Sequence, residues 1–101
     1  MGGRIMTLHQ LRVFVAVAER EHLTQAAAAL HAAPSAVSAS IAALETEYGL
    51  SLFDRAGRGL RLTPHGTVML EEARGVLTRA DAARARLATL RTGAGTGEAS
   101  P

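Results

Sequence analysis

Between Pro34 and Gly49 the chain reads PSAVSASIAALETEYG, and this stretch narrows the choice of fold more than any other. Proline can open a helix at its first position, where its missing N–H costs no intrahelical bond. Glycine can close one by taking the left-handed conformation that side chains resist. Between them Val37, Ile41, Leu44 and Tyr48 recur at i, i+4, i+7 and i+11, a single narrow apolar stripe. The opposite face offers only Ser35, Ala39, Ala42 and Thr46. Such a helix must be packed by neighbours on one side and leaves the other side free, with nothing long upon it.

The neighbours are readable upstream. Thr7 and Gln10 form a T-x-x-Q capping box ahead of Leu8, Leu11, Phe14, Val15 and Ala18 at helical spacing. Glu19-Arg20-Glu21 closes that helix. Thr24 reads as the N-cap of a short second helix, with Gln25 in its first turn and Ala26, Ala27 and Leu30 turned to the core. His31-Ala32-Ala33 is the turn into the helix at Pro34. Two helices joined by a tight turn make a helix-turn-helix candidate, and the plain alternative is an ordinary antiparallel pair. Only Phe14, Tyr48 and Phe53 are aromatic, so the core rests on Leu, Val, Ile and Ala. A core that thin in a 101-residue chain makes association with a partner a natural source of buried area.

Downstream, Leu50 and Leu52 on one side of Ala56-Gly57-Arg58-Gly59, and Leu60 and Leu62 on the other, alternate as in a short hairpin. The glycines let its tip approach another backbone closely. All eleven basic residues are arginine, whose planar fork of donors suits phosphate and guanine. Arg55, Arg58 and Arg61 stand in this region against the single acid Asp54; a solvated loop is the plain alternative.

Thr63-Pro64 reads as the N-cap and first position of a long helix over 64–91. Along it Met69, Ala73, Val76, Ala80, Ala83, Leu87 and Leu90 step by four and three, the seam of a coiled coil. The expected partner is a second copy; the alternative is that the helix folds back on its own core. Glu71-Glu72 is expected in the first turns of this helix, where the macrodipole favours acids. Residues 1–6 are expected to be a disordered leader, and 92–101, TGAGTGEASP, a flexible tail or hinge.

Several functions are disfavoured. There is no cysteine for a disulfide or thiolate metal site, which suits a reducing cytoplasm. Apolar runs such as Val13 to Ala18 fall far short of the ~18 residues of a membrane span, and MGGRIM lacks a signal-peptide core. His9, His22, His31 and His65 lack the i, i+4 spacing of a zinc helix, and no nucleophile elbow or phosphate loop occurs. No enzyme, cofactor or small-molecule inducer site is expected within the chain.

LHQLRVFVAVAE, LTQAAAALH, AVSASIAALE, GLSLFDR and GRGLRLTPHG, in this order and spacing, resemble the N-terminal DNA-binding region of LysR-type transcriptional regulators, from about Met6 to Leu90. The resemblance implies a mainly α winged helix-turn-helix over 7–63, with a three-helix core and a two-stranded β wing. A dimerisation linker helix follows over 64–91. It further implies a bacterial, cytoplasmic, nucleoid-associated protein that reads interrupted palindromic promoter DNA as a homodimer, or a tetramer in a full-length form. By position, Thr24 and Gln25 fall near phosphates at the start of the motif's first helix. Pro34, Ser35, Ser38 and Ala39 fall where the reader helix meets bases and backbone, Arg55 and Arg58 in the wing, and Thr63 at the cap of the linker helix; the resemblance counts all of these, Thr63 included, as DNA-binding. The pattern also departs from the family. Ala33 stands where a capping serine is common and Ala39 where arginine is frequent, so no bidentate base contact, worth ~1–3 kcal/mol, is available from the reader face. Readout is then expected through short contacts, methyl groups and DNA shape. Family members also continue into a large effector domain. A short chain therefore has a second reading, as a dimerisation partner of related regulators that binds DNA weakly.

Overall fold

The computed structural model describes residues 6–93. In chain order they form α1 (Leu8–Arg20), α2 (Leu23–Ala29), α3 (Pro34–Tyr48), β1 (Phe53–Ala56), β2 (Gly59–Leu62) and α4 (Pro64–Thr92). The expectations for residues 1–5 and 94–101 lie outside the described residues. Met6, counted above with the leader, instead packs against the core.

Each helix starts for a local reason. Thr7 Oγ1 accepts the Gln10 N–H at 3.0 Å while the Gln10 amide oxygen accepts the Thr7 N–H at 2.9 Å, completing the capping box of α1. Its chain direction is reversed by Glu21, in the left-handed region at φ 53°. The N-cap of α2 is not Thr24 but His22, whose Nδ1 accepts the Gln25 N–H at 3.2 Å. That bond starts the helix two residues earlier than the threonine suggests and leaves Thr24 exposed. Pro34 occupies the first turn of α3, and Gly49 ends it at φ 65°.

Leu11, Phe14, Val17, Val37, Leu44 and Leu52 are the large, fully buried side chains, so the core sits where α1, α3 and the approach to β1 meet. The stripe on α3 holds through Val37, Ile41 and Leu44, but Tyr48 is 43 % exposed because the helix outruns the core by its last turn. Phe14 and Phe53 meet with ring centroids 5.2 Å apart at 45°, a tilted pair that ties α1 to the base of the hairpin.

The leucine alternation placed the strands slightly wrongly. Leu50 and Leu52 precede β1, which begins at Phe53 and pairs antiparallel with β2 from Phe53↔Leu62 to Ala56↔Gly59. Leu52 is instead drawn into the core: its N–H donates to Glu45 Oε2 at 2.8 Å and its carbonyl accepts from the Thr63 N–H at 3.0 Å. Gly57, at φ 59°, makes the two-residue tip with Arg58. The hairpin is also stapled to the body, since the Leu60 N–H donates to the Glu21 carbonyl at 2.9 Å. A Cβ on Gly59 would lie 2.5 Å from that same oxygen.

The 29 residues of α4 project the molecule to 58 Å in its longest dimension. Its first turns pack on the core through Met69, Leu70, Ala73 and Leu77. Arg74 reaches Glu19 at 3.2 Å and Arg12 reaches Asp81 at 3.4 Å, both across to α1. Glu71 and Glu72 lie beyond the first turn, which contains no acid, so the dipole argument for them does not apply.

Candidate nucleic-acid interface

The outward face of α3 is built by subtraction. With Val37, Ile41 and Leu44 buried, Pro34, Ser35, Ser38, Ala39, Ala42 and Thr46 are left exposed. The N-terminus of α3 has no side-chain cap, because Ala33, extended at φ −72° and ψ 141°, has no acceptor to offer. Pro34 has no N–H and the Ala36 N–H donates to the Ala33 carbonyl at 3.0 Å, which leaves the Ser35 N–H for an outside acceptor. Ala33→Ser is expected to stabilise the fold by ~0.5–1 kcal/mol, read as a raised thermal midpoint; an unchanged midpoint would mean that this helix end is already satisfied.

The hairpin stands beside this face. A groove of about 280 Å³ separates them, with Ser38, Ala42 and Glu45 on the α3 side, Arg55 and Arg58 on the hairpin side, and Leu23 of α2 at one end. Both arginines are exposed and have no salt-bridge partner within 4 Å among the described residues. Arg61, opposite Asp54 in the β ladder but in no ion pair with it, differs in that it does not line the groove. The groove thus joins a helix face of small residues to two cations on a short arm.

Of the residues singled out by sequence, the fold brings Ser38, Arg55 and Arg58 to one groove. It leaves Thr24, Gln25, Pro34, Ser35 and Ala39 exposed on the adjoining helices α2 and α3. Thr63 is corrected. It is 9 % exposed, its hydroxyl donates to the Ser51 carbonyl at 2.6 Å, and its oxygen accepts the Gly66 N–H at 2.9 Å. With its proton given to the Ser51 carbonyl and its oxygen accepting from Gly66, Thr63 caps α4 and locks the loop before β1 instead of projecting outward. Ala42, read from the sequence as part of the outward face of α3, lines the groove as well. One capping residue went unnoticed in sequence. His22 caps α2, for which the H-x-x-Q pattern at 22–25 was the signal.

The seam on α4 also divides. Ala73, at 1 % exposure, belongs to the chain's own core, and Met69 packs beside it. Val76, Leu87 and Leu90 are exposed at 38 %, 63 % and 51 %. A strict seven-residue repeat drifts ~20° per heptad around a straight helix. Over three heptads the stripe turns from its own core to the outside.

Other chemistry is sparse. Partial burial, then a hydrogen bond to Glu47 and the Glu47 charge, raise the Tyr48 phenol above its ordinary value, so it is neutral at physiological pH. No group of three or more His, Asp or Glu able to hold a metal occurs among the described residues. No single described helix is long and apolar enough to cross a membrane.

The family described as "Bacterial regulatory helix-turn-helix protein, lysR family" matches residues 8–67, from the first residue of α1 into α4. The chain is 42 % identical over 81 residues to the HTH-type transcriptional regulator ClcR of Pseudomonas putida, covering 80 % of this chain and 28 % of that protein. It is 45 % identical over 78 residues to the HTH-type transcriptional regulator BudR of Klebsiella aerogenes, covering 77 % and 54 %. It thus spans only about a quarter of the length of several curated relatives. Among solved structures it is similar to the CbnR_DBD-DNA complex, with a TM-score of 0.75 at 37 % identity over 83 % of this chain and 99 % of that one. The BenM_DBD/benA site 1 DNA complex matches with a TM-score of 0.79 at 34 % identity, over 84 % and 99 %. With its helices, its arginine-tipped hairpin and the match to more than half its length in agreement, the chain belongs to the lysR family of bacterial regulatory helix-turn-helix proteins.

Proposed function

We propose that the chain binds promoter DNA directly, with α3 entering the major groove and the β1–β2 hairpin lying along the adjoining backbone and minor groove. The observation that carries this reading is the groove that sets Ser38 and Ala42 against Arg55 and Arg58. The α3 face supplies short contacts and the Ser35 N–H at its start, and the hairpin supplies charge that phosphates neutralise. The similar CbnR and BenM domains, both solved as complexes with DNA, support it. The experiment is a mobility-shift titration with promoter fragments across a salt series. Binding that favours some fragments over others and weakens with salt is expected; no salt-sensitive, selective binding would instead favour the weak-binding dimerisation partner.

The second half of the reading is pairing of two copies through the outer part of α4, where Val76, Ala80, Ala83, Leu87 and Leu90 form the open stripe. Charge favours one orientation. Glu72, Arg79 and Arg86 follow one another at seven-residue intervals along one flank of that stripe; Leu77, Arg84 and Arg91 do so along the other. Side by side in parallel, Arg79 would face the partner's Arg84, and Arg86 the partner's Arg91, each twice. Antiparallel, Glu72 faces the partner's Arg86 twice and only Arg79 meets its own copy. Exposed pairs are worth only ~0.2–1 kcal/mol each, but here they agree in sign. Leu87→Asp is expected to shift sedimentation toward the monomer mass while leaving the helical signal intact, and an unchanged mass would remove α4 from the interface.

A further inference from the structure

We infer, on the footing of the direct-binding reading above, that Gly59 and the Glu21 carbonyl form a latch that positions Arg55 and Arg58 for DNA. The turn between α1 and α2 thereby sets the angle of the hairpin against α3, and both latch residues act through the two arginines.

A hairpin of four residue pairs has little orientation of its own, since two strands alone are marginal in water. Its angle must come from anchors. At the base Phe53 packs on Phe14, and the Thr63 N–H donates to the Leu52 carbonyl. From Phe53 to the end of β1 is about 10 Å of strand, so a swing of about 20° at the base would move the tip by ~3 Å. A displacement of that size is the difference between a hydrogen bond to phosphate and none.

The second anchor stands at the level of both cations. Counted from the two-residue tip, Arg55 and Leu60 are a non-hydrogen-bonded pair, so the Leu60 N–H points off the free edge of the ladder. That N–H donates to the Glu21 carbonyl at 2.9 Å. Leu60 lies directly across from Arg55, and Gly59 follows Arg58 in the chain. Two features let the bond form. Glu21 takes the left-handed conformation, φ 53° and ψ 32°, which side chains resist, and this turns its carbonyl out of α1 toward β2. Gly59 lets the strand come close. Unlike Gly57 it has no positive φ, so the turn does not call for glycine there. The approach does: a Cβ on Gly59 would lie 2.5 Å from the Glu21 oxygen, whereas one on Gly57 meets nothing within 4 Å. The same turn serves the far end of the groove, because His22 caps α2 and the first residue of α2, Leu23, lines the groove. One turn thus holds α2 and the hairpin in a common frame.

The test is Gly59→Ala, alone and combined with Arg55→Ala and Arg58→Ala, in mobility-shift titrations across a salt series. Gly59 lies outside the buried core and the clash is relieved by lifting two strands, so the helical signal should match that of the parent. Alone, the substitution should weaken promoter binding about tenfold, within the roughly thirtyfold loss expected when both arginines are removed. It should also flatten the salt slope although no charge has changed, because arginines drawn off the phosphates no longer release counterions. Added to the two arginine substitutions, it should cost less than about twofold more, the mark of residues that act through one another. A merely weakened fold would leave the slope as it was, and its cost would add in full. Either of those results, or parental affinity in a folded Gly59→Ala, would overturn the proposal. Amide exchange tests the latch in the unsubstituted chain, where the Leu60 N–H should exchange at least about tenfold more slowly than an unprotected amide. Exchange at the free rate would overturn the latch whatever the variants do. A parent chain that binds no fragment selectively while Leu60 stays protected would overturn the direct-binding reading, and the positioning role with it.

Discussion

Gly66→Ala is expected to lower the melting temperature by roughly 12 °C or more, reflecting a loss of ~3 kcal/mol in a domain of this size. The glycine lies in the first turn of α4, where its N–H donates to Thr63 Oγ1 at 2.9 Å. A Cβ built there would fall 2.1 Å from the Leu52 carbonyl oxygen and 2.8 Å from Leu62 Cδ2. The side-chain atom could move aside, but the carbonyl is held by the Thr63 N–H and cannot do so without breaking the junction. Relief requires α4 to lift from the loop before β1, which also displaces the Thr63 cap and the base of the hairpin. Gly75→Ala, nine residues along the same helix, has the opposite expected sign. No atom lies within 4 Å of a Cβ there, and replacing an exposed helical glycine is worth ~0.5–1 kcal/mol in favour of folding. Thermal unfolding of both variants at one protein concentration tests the pair. A Gly66→Ala midpoint close to that of the parent chain would refute the close-approach account.

That contrast marks what could be read from the sequence. Helices α1, α3 and α4 were legible because their signals are local: a capping box at Thr7, a proline start at Pro34, and Thr63-Pro64. The exposed reader face was legible as the complement of Val37, Ile41 and Leu44. What was not legible depends on partners distant in sequence. Leu52 looked like a strand residue, and only the Glu45 carboxylate, seven positions earlier, explains why it enters the core before the ladder begins. Thr63 looked available to DNA until Ser51 and Gly66 were seen to use both sides of its hydroxyl. Ala73 kept the heptad spacing perfectly, yet spacing alone does not say which of two surfaces a helix face meets. The α2 cap failed for a different reason: threonine is the commoner cap, and a histidine with a free Nδ1 performs the same task two residues earlier.

Replacing Arg55 and Arg58 together by alanine is expected to weaken promoter binding about thirtyfold at 0.15 M salt. It should also flatten the slope of log affinity against log salt by about 1.8. Both figures follow from counterion release, in which every phosphate no longer neutralised by an arginine takes about 0.9 off the slope. The weakening should be nearly the same on every fragment, because contacts to the backbone position the protein without reading sequence. Arg61→Ala is the informative comparison. It removes the same unit of charge from the same hairpin, but Arg61 faces Asp54 in the ladder, and it does not line the groove. If net charge alone mattered, Arg61→Ala would equal either single variant; if the groove is the binding surface, it should cost clearly less. Substitution of Ser38, across the groove, should behave differently again, changing the ranking of fragments while leaving the salt slope intact. An Arg55/Arg58 variant with the parent slope would mean that the hairpin does not touch phosphate. The α3 face, with no long side chain, would then have to hold DNA alone. Its short reach makes that arrangement untenable, which is why the arginine pair, rather than the reader helix, is where the direct-binding reading is most exposed to test.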